Sequence, residues 1–435
     1  MAAERGTIME SKGKSELHAQ VKSFVRQGFS PRFDELRDSF GTEPHWARLC
    51  ELGSELWLDT GSIEDAQKLW VRQFSALTTN NTLLNREVQT GRYDKLVCDA
   101  GRMLAQMGQI STQQRMLEIA FILNAYHGLR LVEKFDAYVS VEEHTALAND
   151  VEGAIDYARR YHAICPERFI VKIPFTPAGL LATRRLWAEG IAVNHTLGFS
   201  ARQNYLISRV GRPKYVNVFL GRLNSFVSDN GLGDGTYVGE KATLASQGAV
   251  RELRRMNLSP SRQIGASFRS GAQVRDLAGI DVMTIPPKAA AEFLAIHTAP
   301  HTITDKTFVE YKPGIDNEED LERVRLNTLW DIDEELVRCV DALEKKNIDG
   351  FTPDDLVYFF ANKGCGDVLV GWSGSEIETS TKEGKIPRLE NWREALGEKR
   401  IGLDSLMNLA GLNSFMTDQK AMDERVQQIL DKAGV

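Results

Sequence analysis

Between residues 54 and 285 the chain alternates short apolar runs with longer stretches of helical periodicity. The runs are Ser54–Asp59, Phe74–Asn80, Phe135–Glu142, Phe169–Phe175, Ile191–Thr196, Lys214–Leu220, Arg262–Ser267 and Ile280–Ile285. Their length and apolar content suit strands buried on both faces of a parallel sheet. Helix signals lie between them. Ser62, Ser200 and Ser270 are N-caps, and Thr176-Pro177 sets a cap before a proline at the first helical position, with Gly190 as the stop. A long helical stretch is predicted over about Leu83 to Lys134, with Met116, Ile119, Ala120 and Leu123 at helical spacing, and further helices over Ala146–Ala163 and Pro287–His297. Eight βα units over roughly 250 residues predict an α/β fold, a (β/α)8 TIM-type barrel. A doubly wound open sheet is the alternative, but no glycine fingerprint follows the first strand.

The pattern changes on both sides of this region. Residues 1–52 read as a helical N-terminal segment, broken at Ser30-Pro31 and Glu43-Pro44. The barrel occupies 53–299. Residues 300–435 form a mostly helical C-terminal extension, with a turn at Pro313-Gly314, charged helices near Glu318–Arg325 and Asp333–Lys346, and a capped start at Thr352-Pro353-Asp354-Asp355. Cys365–Trp372 reads as a short strand, and the last forty or so residues read as helix. The extension could serve as a cap over the barrel or as a contact in a homo-oligomer. Gly231-Leu-Gly-Asp-Gly235 lacks the lysine and hydroxyl of a phosphate-binding loop and is expected to be a flexible connection, with a lid as the lesser reading.

Composition narrows the class. The 435 residues are 42% hydrophobic and 26% charged, with a formal net charge of -7. An acidic balance without a basic stripe argues against nucleic acid as a partner. No run reaches the length of a membrane span, and the opening Met1–Gly6 has no apolar core of a signal peptide. Five scattered cysteines with no CxxC pair suggest reduced thiols and a cytoplasmic protein, with neither a disulfide framework nor a zinc site.

One charge interrupts the apolar runs. Lys172 sits at the centre of Phe169-Ile-Val-Lys-Ile-Pro-Phe175. Burying an ammonium is costly and favours the neutral amine, which is a nucleophile toward carbonyls. Snorkelling to the sheet end, or pairing with a carboxylate, is the bland alternative. In a barrel enzyme the chemistry gathers where strands end. There this chain places Asp59, Asn80, Glu142, Lys172, Asn194 with Thr196, Arg222, and Ser267 with Arg269. Each taken singly has an ordinary role as a turn, cap or surface ion pair. Seven consecutive strands delivering such groups around a buried lysine is the informative pattern. Alternation puts Asn194 and Thr196 on one strand face and His195 on the other, toward the helix layer.

Residues 54–290 resemble the transaldolase family of class I, Schiff-base aldolases. The matching segments are Leu58-Asp-Thr-Gly61, Thr78-Thr-Asn80, Val139-Ser-Val-Glu142, Ile170-Val-Lys-Ile173, Asn194-His-Thr196, Phe219-Leu-Gly-Arg222 and Gly265-Ala-Ser-Phe-Arg269. The resemblance implies transfer of a dihydroxyacetone unit from a ketose phosphate, such as sedoheptulose 7-phosphate or fructose 6-phosphate, to an aldose phosphate in the pentose phosphate pathway. Lys172 would form the imine, Glu142 would act as acid and base, Asp59 would accept a proton and Thr196 would position water. Asn80, Asn194, Asn217, Phe219, Arg222, Ser267 and Arg269 would bind the sugar phosphate. No metal or organic cofactor is implied. Glu142 with Phe219 is the pair typical of the transferases; the related fructose-6-phosphate aldolases carry Gln and Tyr.

Three positions depart from the family pattern. Asn81 stands where proline is usual, Asn217 replaces a serine of the phosphate pocket, and His195 replaces an aliphatic residue. Asn217 leaves a different anionic sugar open. A lyase releasing free dihydroxyacetone, and a vestigial barrel that binds a partner through its extension, are the other readings.

Overall fold

The computed structural model describes residues 2–108, 110–296 and 298–435; Met1 and His297, the latter the expected end of one helix, lie outside them. The eight apolar runs form strands β1 (Glu55–Asp59), β2 (Phe74–Thr78), β3 (Tyr138–Glu142), β4 (Phe169–Pro174), β5 (Val193–Thr196), β6 (Tyr215–Phe219), β7 (Arg262–Ala266) and β8 (Val282–Ile285). All are parallel, pair in chain order, and close through β8 onto β1. The open-sheet alternative is thereby excluded.

Alternation along the strands builds the site in layers. Trp57, Ala76, Ile170, Tyr215, Ile264, Ala266 and Val282 fill the barrel interior as one apolar cluster. Two residues further along five of those strands stand Asp59, Thr78, Lys172, Asn217 and Thr284, on the same face. An apolar floor therefore carries a polar tier, as expected at the carboxyl ends of barrel strands. The outward-facing residues, among them Leu56, Leu58, Val139, Val141, Val171 and Ile173, join the larger core between sheet and helices.

The helical layer follows the cap signals. Ser62, Thr176, Ser200 and Ser270 each accept the N3 backbone N–H of the helix they open. The single stretch predicted over Leu83–Lys134 is instead three helices, Asn81–Gln89, Asp94–Gln106 and Thr112–Phe135. Gly91 and Gly108, at φ 83° and 103°, take the left-handed backbone that ends a helix without a Cβ clash. The predicted strand Cys365–Trp372 is irregular, because a closed barrel has no free edge to pair with; Val368 and Leu369 are buried by packing on helices instead. Gly231–Gly235, expected to be a flexible connection, is tied to the Pro313-Gly314 turn of the C-terminal extension by Gly235 N–H donating to Gly314 O at 3.0 Å and Gly314 N–H to Thr236 O at 2.7 Å.

The N-terminal segment forms helices Ala2–Arg26 and Pro44–Glu51. Beyond residue 300 the helices are Glu318–Arg323, Glu334–Glu344, Pro353–Ala361, Gly374–Glu383, Arg393–Gly397 and Leu403–Ala433. The last, 31 residues long, crosses the mouth of the barrel. Its start is fixed by a buried ion cluster. Arg202 holds Asp404 through Nη2 at 2.7 Å and Asp367 through Nη1 at 2.8 Å, and Ser200 donates to Asp404 at 2.6 Å. Further along, Asn408 donates to Leu197 O at 3.1 Å, Thr82 donates to Asp418, His144 meets Asp423 at 3.1 Å, and Arg425 meets Asp94 at 2.8 Å. Among the described residues no helix is long and apolar enough to cross a membrane.

Candidate active site

Lys172 is 4% exposed, with Nζ 3.6 Å from Glu142 Oε1 and donating to Thr79 O at 3.3 Å. Strand register makes the first contact inevitable, since Glu142 pairs with Lys172 across β3 and β4, and Lys172 with Asn194 across β4 and β5. The other oxygen of Glu142 accepts the backbone N–H of Asn81 at 3.0 Å. Burial pushes the Glu142 carboxyl above the usual range, while the Lys172 charge and the Asn81 N–H pull it back. Asp59 accepts from the Thr78 hydroxyl at 2.8 Å, and Thr78 shares a second hydrogen bond with Thr284 at 2.5 Å. Burial raises the Asp59 carboxyl too, against the Lys172 charge and the Thr78 bond. A buried and a half-buried carboxyl, both with raised pKa, thus flank one buried amine.

Across the barrel, Asn194 donates to Ser140 Oγ at 3.0 Å. Asn217 Nδ2 lies 3.4 Å from Asn194 Oδ1, and Asn217 Oδ1 accepts Gly198 N–H at 3.3 Å. Thr196 has a buried hydroxyl with no hydrogen-bond partner among the described residues, so it is free to hold water or substrate. Asn80 caps the helix Asn81–Gln89 by accepting Leu83 N–H at 2.8 Å, which occupies only its Oδ1.

The cationic end is built at the close of β6 and β7. Arg222 lies on the helix Leu220–Asp229 with its guanidinium 5.2 Å from the Phe219 ring and 5.5 Å from the Phe415 ring. It is buried, and its Nη1 has no hydrogen-bond partner among the described residues. Burial lowers its pKa to about 10, and the like charge of Arg269 adds to this. Arg269 runs beside Gly221, where a Cβ would fall 2.9 Å from its Nε. Ser267 adopts φ 65°, a turn that carries the chain from β7 toward Arg269. A buried guanidinium with an unpartnered Nη1, set beside a second guanidinium, has the chemistry to hold an anion.

His195 lies outside this constellation. Its Nδ1 meets Thr183 Oγ1 at 3.2 Å in the helix layer and its ring packs edge-on against Phe175, and burial lowers its pKa to about 3 and holds it neutral. Several site residues were not anticipated. Ser140 and Thr78 share strand faces with Glu142 and Asn80, and Thr284 belongs to β8, to which no candidate had been assigned; alternation alone could have found all three. Phe415, Asp418 and Lys385 come from the extension. The Lys385 ammonium is held down by partial burial and by the charges of Arg269 and Arg222. No local pattern marks these three.

Comparison with known proteins agrees with this geometry. The family model described as transaldolase/fructose-6-phosphate aldolase matches residues 56–355. A probable transaldolase of Thermus thermophilus is 33% identical over 263 residues, covering 59% of this chain and 96% of that protein. A transaldolase of Methylococcus capsulatus is 30% identical over 246 residues, 54% of this chain and 73% of that protein. One from Xanthomonas campestris is 30% identical over 226 residues, 51% and 70% respectively. With its barrel closed and more than two thirds of its length matched by the family model, the chain belongs to the transaldolase/fructose-6-phosphate aldolase family.

Proposed function

We propose that this protein is a transaldolase, moving a dihydroxyacetone unit from a ketose phosphate such as sedoheptulose 7-phosphate or fructose 6-phosphate to an aldose phosphate. The observation that carries this reading is the Lys172–Glu142 pair at 3.6 Å, buried at the carboxyl ends of adjacent strands. Glu142 takes a proton from the Lys172 ammonium, and the free amine attacks the donor C2 carbonyl. Glu142 then returns the proton to the departing hydroxyl through a water held by Thr196, which leaves the imine. Asp59 removes the proton of the C4 hydroxyl, the C3–C4 bond breaks, and its electron pair flows into the iminium to give an enamine. The first aldose phosphate leaves and the acceptor enters. The enamine carbon attacks the acceptor aldehyde, Asp59 returns the proton to the new alkoxide, and water releases the product from Lys172.

Asn80, Asn194 and Asn217 hold sugar hydroxyls, Phe219 lies under the anion site, and Arg222, Arg269 and Ser267 grip the phosphate. None of these steps calls for a metal or an organic cofactor. The reaction fits the pentose phosphate pathway of the cytoplasm. Borohydride reduction in the presence of fructose 6-phosphate, with peptide mapping, tests it. A reduced dihydroxyacetone adduct on Lys172, absent from Lys172→Ala, is expected. An adduct on another residue, or none in folded protein, overturns the assignment. Rapid release of free dihydroxyacetone without an acceptor would move the protein to the lyase branch of its family.

A further inference from the structure

We infer that Phe415, carried by the C-terminal helix, shields the Lys172 enamine from water and so sets the ratio of group transfer to release. The inference rests on the transaldolase reading above. Phe415 lies beyond residues 56–355, the part matched by the family model. Its ring centroid is 5.9 Å from Lys172 Nζ and 5.5 Å from Arg222 Cζ. Those two cations take the carbonyl carbon and the phosphate of the donor. The carbon chain between them therefore runs along the Phe415 ring, which among the described residues lies within 5.9 Å of both groups.

The helix is built to hold that ring in place. Gly411, Phe415 and Asp418 are spaced at i, i+4 and i+7, on one helix face. A Cβ on Gly411 would fall 2.9 Å from Leu197 Cδ2 and 3.3 Å from Arg222 Nη1, so any side chain there would have to push Leu197 aside and crowd the guanidinium. Asp418 accepts from Thr82 at the start of the helix after β2. Phe415 itself is 5% exposed and packs in an apolar cluster with Leu197 and Phe199. The ring offers no hydrogen bond. It contributes exclusion of water and a flat apolar surface against the C–H face of the bound carbons.

The consequence falls on the enamine left after the first aldehyde departs. Release needs a proton on C3, water on C2, and breakage of the C–N bond, giving free dihydroxyacetone and the Lys172 amine. Transfer puts the acceptor aldehyde on C3 instead of the proton, and water at C2 then frees that product in the same way. The two routes divide at C3, so a wall that keeps water from delivering a proton there lengthens the life of the enamine and favours transfer.

The test uses the full chain with Phe415→Ala, Phe415→Leu and, as a control, Met416→Ala, whose wild-type side chain is exposed. Three quantities are measured with fructose 6-phosphate: dihydroxyacetone release without acceptor, transfer to an aldose phosphate, and the borohydride adduct on Lys172. Phe415→Ala is expected to raise the release-to-transfer ratio about tenfold while still forming the adduct. Phe415→Leu keeps the apolar packing and should fall between it and wild type, and Met416→Ala should match wild type. A wild-type ratio in both Phe415 variants, with the adduct still trapped, overturns the role of Phe415 alone. Absence of the adduct from the wild-type protein overturns the reading of Lys172, and this inference with it.

Discussion

Asn81 donates its backbone N–H to Glu142 Oε2 at 3.0 Å. Asn81 is the first residue of its helix, a position whose N–H has no partner inside the helix and is open to a carboxylate. The proline usual at this place in the family has no N–H to give. The departure at Asn81 therefore adds a contact to the proposed acid and base. Asn81→Pro is expected to keep the fold, since proline suits a first helical position. A hydrogen bond to a carboxylate favours its charged form, so losing it should move the Glu142 limb of the pH–rate profile upward. Asn81→Ala retains the N–H and should leave that limb in place.

Arg222 is held buried with Nη1 unpartnered and Arg269 beside it. A bound anion relieves both burial and like-charge repulsion, so inorganic phosphate should raise the melting temperature in proportion to ln(1 + [L]/Kd), about 2.7 kcal/mol at a hundred times Kd. Arg222→Met should melt higher than wild type in phosphate-free buffer and lose most of the phosphate dependence. Calorimetry across a phosphate series reads both effects.

His195 and His127 are both buried, and burial holds each near a pKa of about 3. The unfolded chain binds these protons below about pH 6.5 while the folded chain does not, so stability is present above that value and lost as pH falls. Each histidine should cost about 2 kcal/mol by pH 5. His195→Leu is expected to flatten the loss of stability between pH 7 and 5, whatever its effect at pH 7. Urea unfolding at the two pH values decides it.

Arg202 joins Asp404 and Asp367 in a cluster closed to solvent, and Arg325 adds a 2.8 Å contact to Asp367. Arg202→Ala strands the buried Asp404 carboxylate, while Arg325 still holds Asp367, and should destabilise the protein by about 3–5 kcal/mol. The loss should concentrate at the foot of the helix Leu403–Ala433. Hydrogen exchange there should rise well before the barrel strands lose protection, and uniform loss across the barrel would contradict this anchoring role.

The strand order and the polar tier could be read along the chain because both are local. A period of two places Asp59, Thr78, Lys172, Asn217 and Thr284 two residues beyond the apolar floor, and caps such as Ser200 announce the helices between. Where local signals compete, the reading failed. Gly91 and Gly108 interrupt one apolar periodicity into three helices, and the apolar Val368-Leu369 is buried without any strand partner.

What the sequence determined by itself is the barrel, the lysine at its centre and the face on which the candidate residues stand. Alternation, caps and parallel pairing are properties of neighbours along the chain. Tertiary structure alone decided what covers them. Phe415 is 243 residues beyond Lys172, yet its ring comes within 5.9 Å of Nζ because Asp404 and Asn408 bind the C-terminal helix to the segment after β5, Asp418 binds it to the helix after β2, and Asp423 to the loop after β3. No spacing rule encodes that contact. It follows from the summed geometry of ion pairs and packing distributed over the whole fold.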